Sequence, residues 1–326
     1  MRGYTSEMTH APTNAAISIR EIAPNRPLHE YLPQIDGLRA LAVLSVIIFH
    51  LGINWIPGGF VGVDIFFVIS GFVVANSVSQ LSFENFSGFI TFFYARRILR
   101  IMPALVLCVL VTLLLAKLFI PNVWLSRANN TTALAAIFGA SNFALAFNHD
   151  TYFSPTSAFN PFTHTWSLGI EEQFYLIFPL LWFFWVYKAN DSRARRLVIC
   201  SIAVLSFASL IACAFMGQIN HAYAFYLIPS RFWELGAGVV LSATISLWRP
   251  KLAMLGREAA ITLTAASVAL LIASLSWANE GAFPFPWAIP PVLATVLAIA
   301  VITARSSELP ARLLAASPAV YIGKRS

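Results

Sequence analysis

The sequence predicts an all-α integral membrane protein, a polytopic helix bundle of about 8 spans plus one re-entrant or interfacial segment. Three observations carry that reading. Apolar residues make up 58% of the 326 and charged residues only 11%. A soluble domain needs about a quarter of its residues charged to cover its surface. Mean hydropathy is +0.73, and the apolar residues are gathered into runs of roughly the 17 to 25 residues that cross a hydrocarbon core.

Eight runs qualify: 38–54, 59–78, 98–120, 167–187, 197–216, 228–248, 258–277 and 287–304. Residues 1–37 are polar, hold Pro12, Pro24, Pro27 and Pro33, and lack the apolar centre of a cleavable signal. They read as a cytoplasmic N-terminal tail, with the first span as an uncleaved insertion signal. Residues 38–304 form the transmembrane domain.

A ninth stretch, 131–148, is shorter and interrupted by Gly139, Ser141 and Asn142. The basic residues decide its fate. With the N-terminus inside and 131–148 not crossing, only Lys117, Arg127 and Arg231 of the 21 basic residues fall away from the inner side. Were it to cross, every later basic cluster would move outside, against the positive-inside rule. The region 131–166 is therefore expected to be an outer re-entrant or loop region, rich in aromatics and prolines. This topology accounts for the net charge of +7. A nucleic-acid partner is not needed to explain it; the expected partner is the lipid bilayer. Segment 305–326 is expected to be cytoplasmic and to precede further spans.

Cys108, Cys200 and Cys213 lie in apolar runs without metal-ligand spacing. They read as packing residues, and no metal site or disulfide framework is expected.

Charge within a bilayer costs at least about 2.5 to 3.5 kcal/mol per residue near its centre. Ionisable residues inside the spans are therefore the functional candidates. Arg39 and His50 are 11 residues apart, which places them within about 20° on one helix face and about 16 Å apart along it. One face thus offers an anion-binding group and a proton acceptor. The alternative is a snorkelling arginine and a histidine satisfied by a neighbouring helix. Asp64, in Gly62-Val-Asp-Ile-Phe-Phe-Val-Ile-Ser-Gly-Phe72, reads as a partner for another charge or as a carboxylate at a helix N-terminus. Arg97 and Arg100 share a face at i, i+3 and suit a phosphorylated donor, although a topogenic basic stop explains them as well. In His164-Thr-Trp-Ser-Leu-Gly-Ile-Glu-Glu-Gln-Phe-Tyr175, Ser167, Glu171 and Tyr175 form one polar stripe. No packing role plainly requires the doubled carboxylate Glu171-Glu172. Arg231 and Glu234, also i, i+3, read most simply as an intrahelical pair.

Taken in order, these blocks resemble the acyltransferase-3 family of membrane O-acyltransferases. They are Ile35-Asp-Gly-Leu-Arg39 through His50, Gly62 to Phe72, the arginine cluster to Pro103, His164 to Tyr175, and Pro229 to Gly238. The resemblance runs from Tyr31 to Ser326. It implies transfer of an acyl group, usually acetyl, from cytoplasmic acyl-coenzyme A to a hydroxyl of a surface glycan or related carbohydrate acceptor. Acetyl-coenzyme A is then a co-substrate, and no cofactor is bound permanently. The family's arginine–histidine motif falls on Arg39 and His50, its R-x-x-R motif on Arg97 and Arg100, and its acidic signature on Glu171 and Glu172. Two blocks look like the subgroup carrying an additional outer SGNH-type domain, which is absent from this chain.

The resulting expectation has Arg39, Arg97 and Arg100 binding the donor. His50 acts as general base or transient acyl carrier, and Glu171 or Glu172 positions His50 or the acceptor. Asp64, Ser167, Tyr175, Arg231 and Glu234 support them. Two rivals fit the buried charges: a transporter or flippase of a lipid-linked glycan, and a non-catalytic membrane scaffold.

Overall fold

A computed structural model describes residues 20–21, 31–53, 55–79, 81–82, 85–119, 127–147, 152, 160–187 and 191–326. Most of the N-terminal tail and most of the outer loop 149–159 lie outside the described residues. The described chain is helical apart from a two-residue antiparallel pairing of Arg20–Glu21 with Leu81–Ser82.

All eight apolar runs fall on helices. Helix α1 spans Pro33–His50 and carries a proline in its first turn, where a missing N–H costs nothing. It ends at Leu51, and Gly52 follows with φ of 68°, the left-handed closure that glycine allows. A 3-10 turn at Gly59–Val61 leads into α2, Gly62–Ser79. Helix α3 spans Phe86–Phe119. Its 34 residues extend about 51 Å, well beyond a hydrocarbon core of about 30 Å. It begins twelve residues before the run expected at 98–120. Arg97 and Arg100 therefore sit within a continuous helix, and their shared face is fixed.

The stretch 131–148 falls on α4 (Arg127–Ile137) and α5 (Ser141–Phe147), broken where Gly139 adopts φ of 65°. Neither piece is long enough to cross a bilayer. Then follow α6 (Trp166–Tyr187), α7 (Ser192–Ile219), α8 (His221–Tyr226) and α9 (Ile228–Ala253). Asp191 caps α7 by accepting from Arg193 N at 2.8 Å and Ala194 N at 3.2 Å. Asn220 caps α8 in the same way. The last helices are α10 (Arg257–Trp277), α11 (Ile289–Ala304), α12 (Leu309–Leu314) and α13 (Ser317–Arg325).

Among the described residues, five helical segments are long and apolar enough to cross a membrane: 33–50, 59–79, 86–119, 192–219 and 257–277. Helices α6 and α9 fall outside that group, and they carry Glu171, Glu172, Arg231 and Glu234. Helix α11 has only 16 residues. The bundle turns apolar side chains outward: Leu107, Leu110, Leu114 and Leu118 form an exposed stripe along α3. A stripe of that kind is stable against lipid, not water.

Helix α9 is the hub, packing on α2, α7 and α11. Glycines permit the closest approach. A Cβ at Gly71 would collide with the Leu235 carbonyl, and one at Gly238 with the Val68 carbonyl. Gly71→Leu is therefore expected to destabilise the protein by about 1 to 3 kcal/mol or more, as overpacking does. Gly217→Leu, which points into open space, is expected to be neutral. Thermal unfolding in detergent reads both, and an unchanged midpoint for Gly71→Leu would remove the claim of a close α2–α9 crossing.

The segment 305–326 is not a loose tail. Helices α12 and α13 pack on α1. A Cβ at Gly37 would strike the Leu314 carbonyl, and one at Gly323 the Asp36 carbonyl. Gly37 lets α12, and Gly323 lets α13, lie flush against the first helix, with Lys324 and Arg325 beside Arg39.

Candidate active site

A cavity of about 590 Å³ lies between α1, α2, α3, α6 and α13. Its lining runs along α3 from Arg97 to Cys108 and, from Tyr175 back to His164, along α6 and the 3-10 turn Thr163–Thr165 that precedes it. Each stretch covers 12 residues, 11 helical steps or about 16 Å. The cavity is thus elongated, and its two ends differ chemically.

One end is basic. Arg39, Arg97, Arg100, Lys324 and Arg325 all line it. Arg39 Nη2 donates to the Ser326 carbonyl at 2.7 Å, and its guanidinium lies 5.2 Å from the Phe66 ring centre. The Arg97 guanidinium stacks over Tyr175 at 4.4 Å. Tyr94 Oη donates to the Tyr175 carbonyl at 3.1 Å, tying α3 to α6 beside that stack. Arg96, on another face of α3, lies over Phe92 and does not line the main cavity.

Glu171 lines the same cavity and is 7% exposed. Ser70 Oγ donates to its Oε1 at 2.5 Å and Tyr175 Oη to its Oε2 at 3.4 Å. Arg39 and Arg97 are close enough to act on its charge. The carboxylate therefore balances the basic end and is not bonded to His50, as one sequence expectation had it.

The other end carries His164 and Thr165. His164 is exposed, and it lies near enough to His50 for positive charge on one imidazole to oppose it on the other. His50 is exposed at the end of α1 and is not in the cavity lining. Its Nε2 shares a 2.7 Å hydrogen bond with the Tyr152 hydroxyl. Tyr152 in turn stacks on Phe225 at 4.5 Å. The α1 face carrying Arg39 and His50 thus places the arginine at the basic mouth and the histidine beside the imidazole end.

Glu172 departs from Glu171, because adjacent helical residues point about 100° apart. It lines a second cavity of about 380 Å³ with Tyr94, Arg97 and Gln173. Gly139 lies against its carboxylate, and any larger side chain would clash there. Gln173 Nε2 donates to the Gly139 carbonyl at 3.1 Å and to Asn142 Oδ1 at 2.7 Å. Gln173, next to the acidic pair, thus holds the α4–α5 break in place. Ser167 also leaves the expected stripe: its hydroxyl donates back to the His164 carbonyl at 3.3 Å.

Asp64, Arg231 and Glu234 form a separate buried triad outside the cavity lining. Arg231 Nη1 donates to Asp64 Oδ1 at 2.9 Å and to Glu234 Oε1 at 2.7 Å. Its Nε donates to the Phe225 carbonyl at 3.0 Å. All three side chains are at most 1% exposed. The intrahelical pair is present, and Asp64 joins it from α2, so the triad ties α2 to α9.

Sequence reasoning missed Ser70, His164, Lys324 and Arg325. Each acquires its place only when distant helices meet.

The family model described as an acyltransferase domain matches residues 32–326. The chain belongs to the acyltransferase-3 family. It is 36% identical over 214 residues to the putative peptidoglycan O-acetyltransferase YrhL of Bacillus subtilis, covering 66% of this chain and 33% of that protein. It is 32% identical over 213 residues to the peptidoglycan O-acetyltransferase OatA of Listeria monocytogenes, covering 65% and 34%. The O-acetyltransferase OatA of Staphylococcus aureus is 30% identical over 308 residues, covering 91% of this chain and 49% of that protein. The chain thus spans between a third and half of the length of these curated relatives. No solved structure matches it. Family membership and the apolar helices together make this acyltransferase domain a multi-pass membrane protein.

Proposed function

We propose that this acyltransferase domain takes an acetyl group from cytoplasmic acyl-coenzyme A and delivers it to a hydroxyl of a cell-surface glycan. Peptidoglycan, named for two of its relatives, is the first acceptor to test. The observation that carries the reading is the elongated cavity, with five basic residues at one end and an imidazole at the other. Guanidinium groups bind phosphate through two-point hydrogen bonds, so the basic end suits the donor's phosphates. The positive-inside distribution of Lys and Arg supports a cytoplasmic basic mouth in a bacterial plasma membrane.

The chemistry follows from that polarity. The thioester arm extends past Glu171 toward His164 and His50. His50 withdraws the proton of the acceptor hydroxyl as its oxygen attacks the thioester carbon. A carbon–oxygen bond forms, the carbon–sulfur bond breaks, and the departing thiolate takes up a proton to leave as free coenzyme A. Tyr152 orients the imidazole through its hydrogen bond.

The test is acetyl transfer from labelled acetyl-coenzyme A to peptidoglycan fragments, with membranes holding equal amounts of wild-type and His50→Ala protein. Loss of a general base is expected to lower the rate by about 10² to 10⁴-fold. Undiminished transfer would take His50 out of the mechanism. Absence of any acetyl-coenzyme A use by the wild type would reject the reading as a whole.

A further inference from the structure

Two cavities meet at the basic mouth. Beside the main cavity lies a smaller one of about 270 Å³, bordered by Tyr31, Asp36 and Asn76. The residues common to both linings are Arg39, Arg100, Lys324 and Val73. Three of the four carry positive charge, so the junction between the cavities is where anionic groups are held best.

The smaller pocket has a different character from the junction. Tyr31 Oη donates to Asp36 Oδ2 at 2.6 Å, which fixes the ring at the pocket edge. Lys324 Nζ lies 4.7 Å from the centre of that ring. The Asp36 carboxylate repels phosphate from the pocket interior. An aromatic face and the Asn76 amide, which both donates and accepts, suit an uncharged heterocycle.

We propose that the smaller pocket is the base subsite of a nucleotide donor. A purine lies beside Tyr31 and Asn76, and the phosphates bridge the shared Arg39, Arg100 and Lys324. A nucleotide bearing an acylated arm has its phosphates between base and arm, and the order of these cavities is the same. Lys324, carried by α13, thereby becomes a donor-binding residue. The inference rests on the acyl-coenzyme A reading above and adds to it the part of the donor that is recognised.

The full chain, purified in detergent, is titrated with coenzyme A and with 4′-phosphopantetheine, which lacks the adenosine and two of the three phosphates, so the base is read from the Tyr31 and Asn76 variants. The wild type is expected to bind coenzyme A at least about tenfold more tightly, the usual scale of one stacked base. Tyr31→Ala and Asn76→Leu are expected to narrow that gap while leaving 4′-phosphopantetheine affinity unchanged, which also reports an intact fold. Lys324→Gln is expected to weaken coenzyme A by about tenfold, as loss of one charge-assisted contact does. A gap untouched by all three substitutions overturns the base subsite and leaves the donor reading standing. Failure of the wild type to bind coenzyme A overturns both.

Discussion

Arg231→Met is expected to leave little folded protein, with a loss of about 3 to 5 kcal/mol. The cause is the pair of buried carboxylates it abandons. Arg231 Nη1 serves Asp64 and Glu234 together, and Nε serves the Phe225 carbonyl. Its guanidinium also lies 4.9 Å from the Phe225 ring centre and 5.0 Å from that of Phe283. The three side chains are at most 1% exposed, so solvent is poorly placed to replace those contacts. Arg231→Lys keeps the charge but cannot hold three acceptors in one plane, so it is expected to fall in between. Combining Arg231→Met with Asp64→Asn and Glu234→Gln removes the stranded charges and is expected to restore part of the stability. Detergent thermal midpoints and the yield of monodisperse protein report each case. A single Arg231→Met variant as stable as wild type would show that the triad does not join α2 to α9.

Glu171→Gln and Glu172→Gln, neighbours in sequence, are expected to behave very differently. Glu171 lies in the main cavity, accepts hydrogen bonds from Ser70 and Tyr175, and balances Arg39 and Arg97. Its neutral isostere keeps the volume and loses the charge. Removing one preorganised electrostatic group from an active site costs on the order of 10²-fold in rate, and that is the expected effect on acetyl transfer. Glu172 faces the second cavity beside Gly139, so Glu172→Gln is expected to stay within a few-fold of wild type. Initial rates at matched protein levels separate the two. The opposite ranking would move the chemistry to the cavity beside the α4–α5 break.

Much of this protein was legible before any fold was drawn. The apolar runs predicted helices where helices occur, because backbone groups in lipid must be satisfied within the segment. Helical periodicity also placed Arg97 with Arg100, and Arg231 with Glu234, since those spacings depend only on the local helix. The boundary of α3 was read twelve residues late. Its early turns, Phe86-Ser-Gly-Phe-Ile-Thr-Phe-Phe-Tyr94, are less apolar and help pack the core through Phe89 and Phe93.

What the sequence could not decide was which residues from different helices face one another. It set Glu171 and Glu172 as equals, and packing sent them into separate cavities. It left Asp64 between two roles, and the approach of α9 through Gly71 and Gly238 brought Arg231 to it. It treated residues 305–326 as a cytoplasmic segment leading to further spans, while Gly323, packed on α1, lets α13 become a wall of the main cavity. Composition and periodicity act along one segment and so determine the class, the helices and their charged faces. Side-chain partnerships across more than a hundred residues depend on how closely helices can approach, and only tertiary packing settles that.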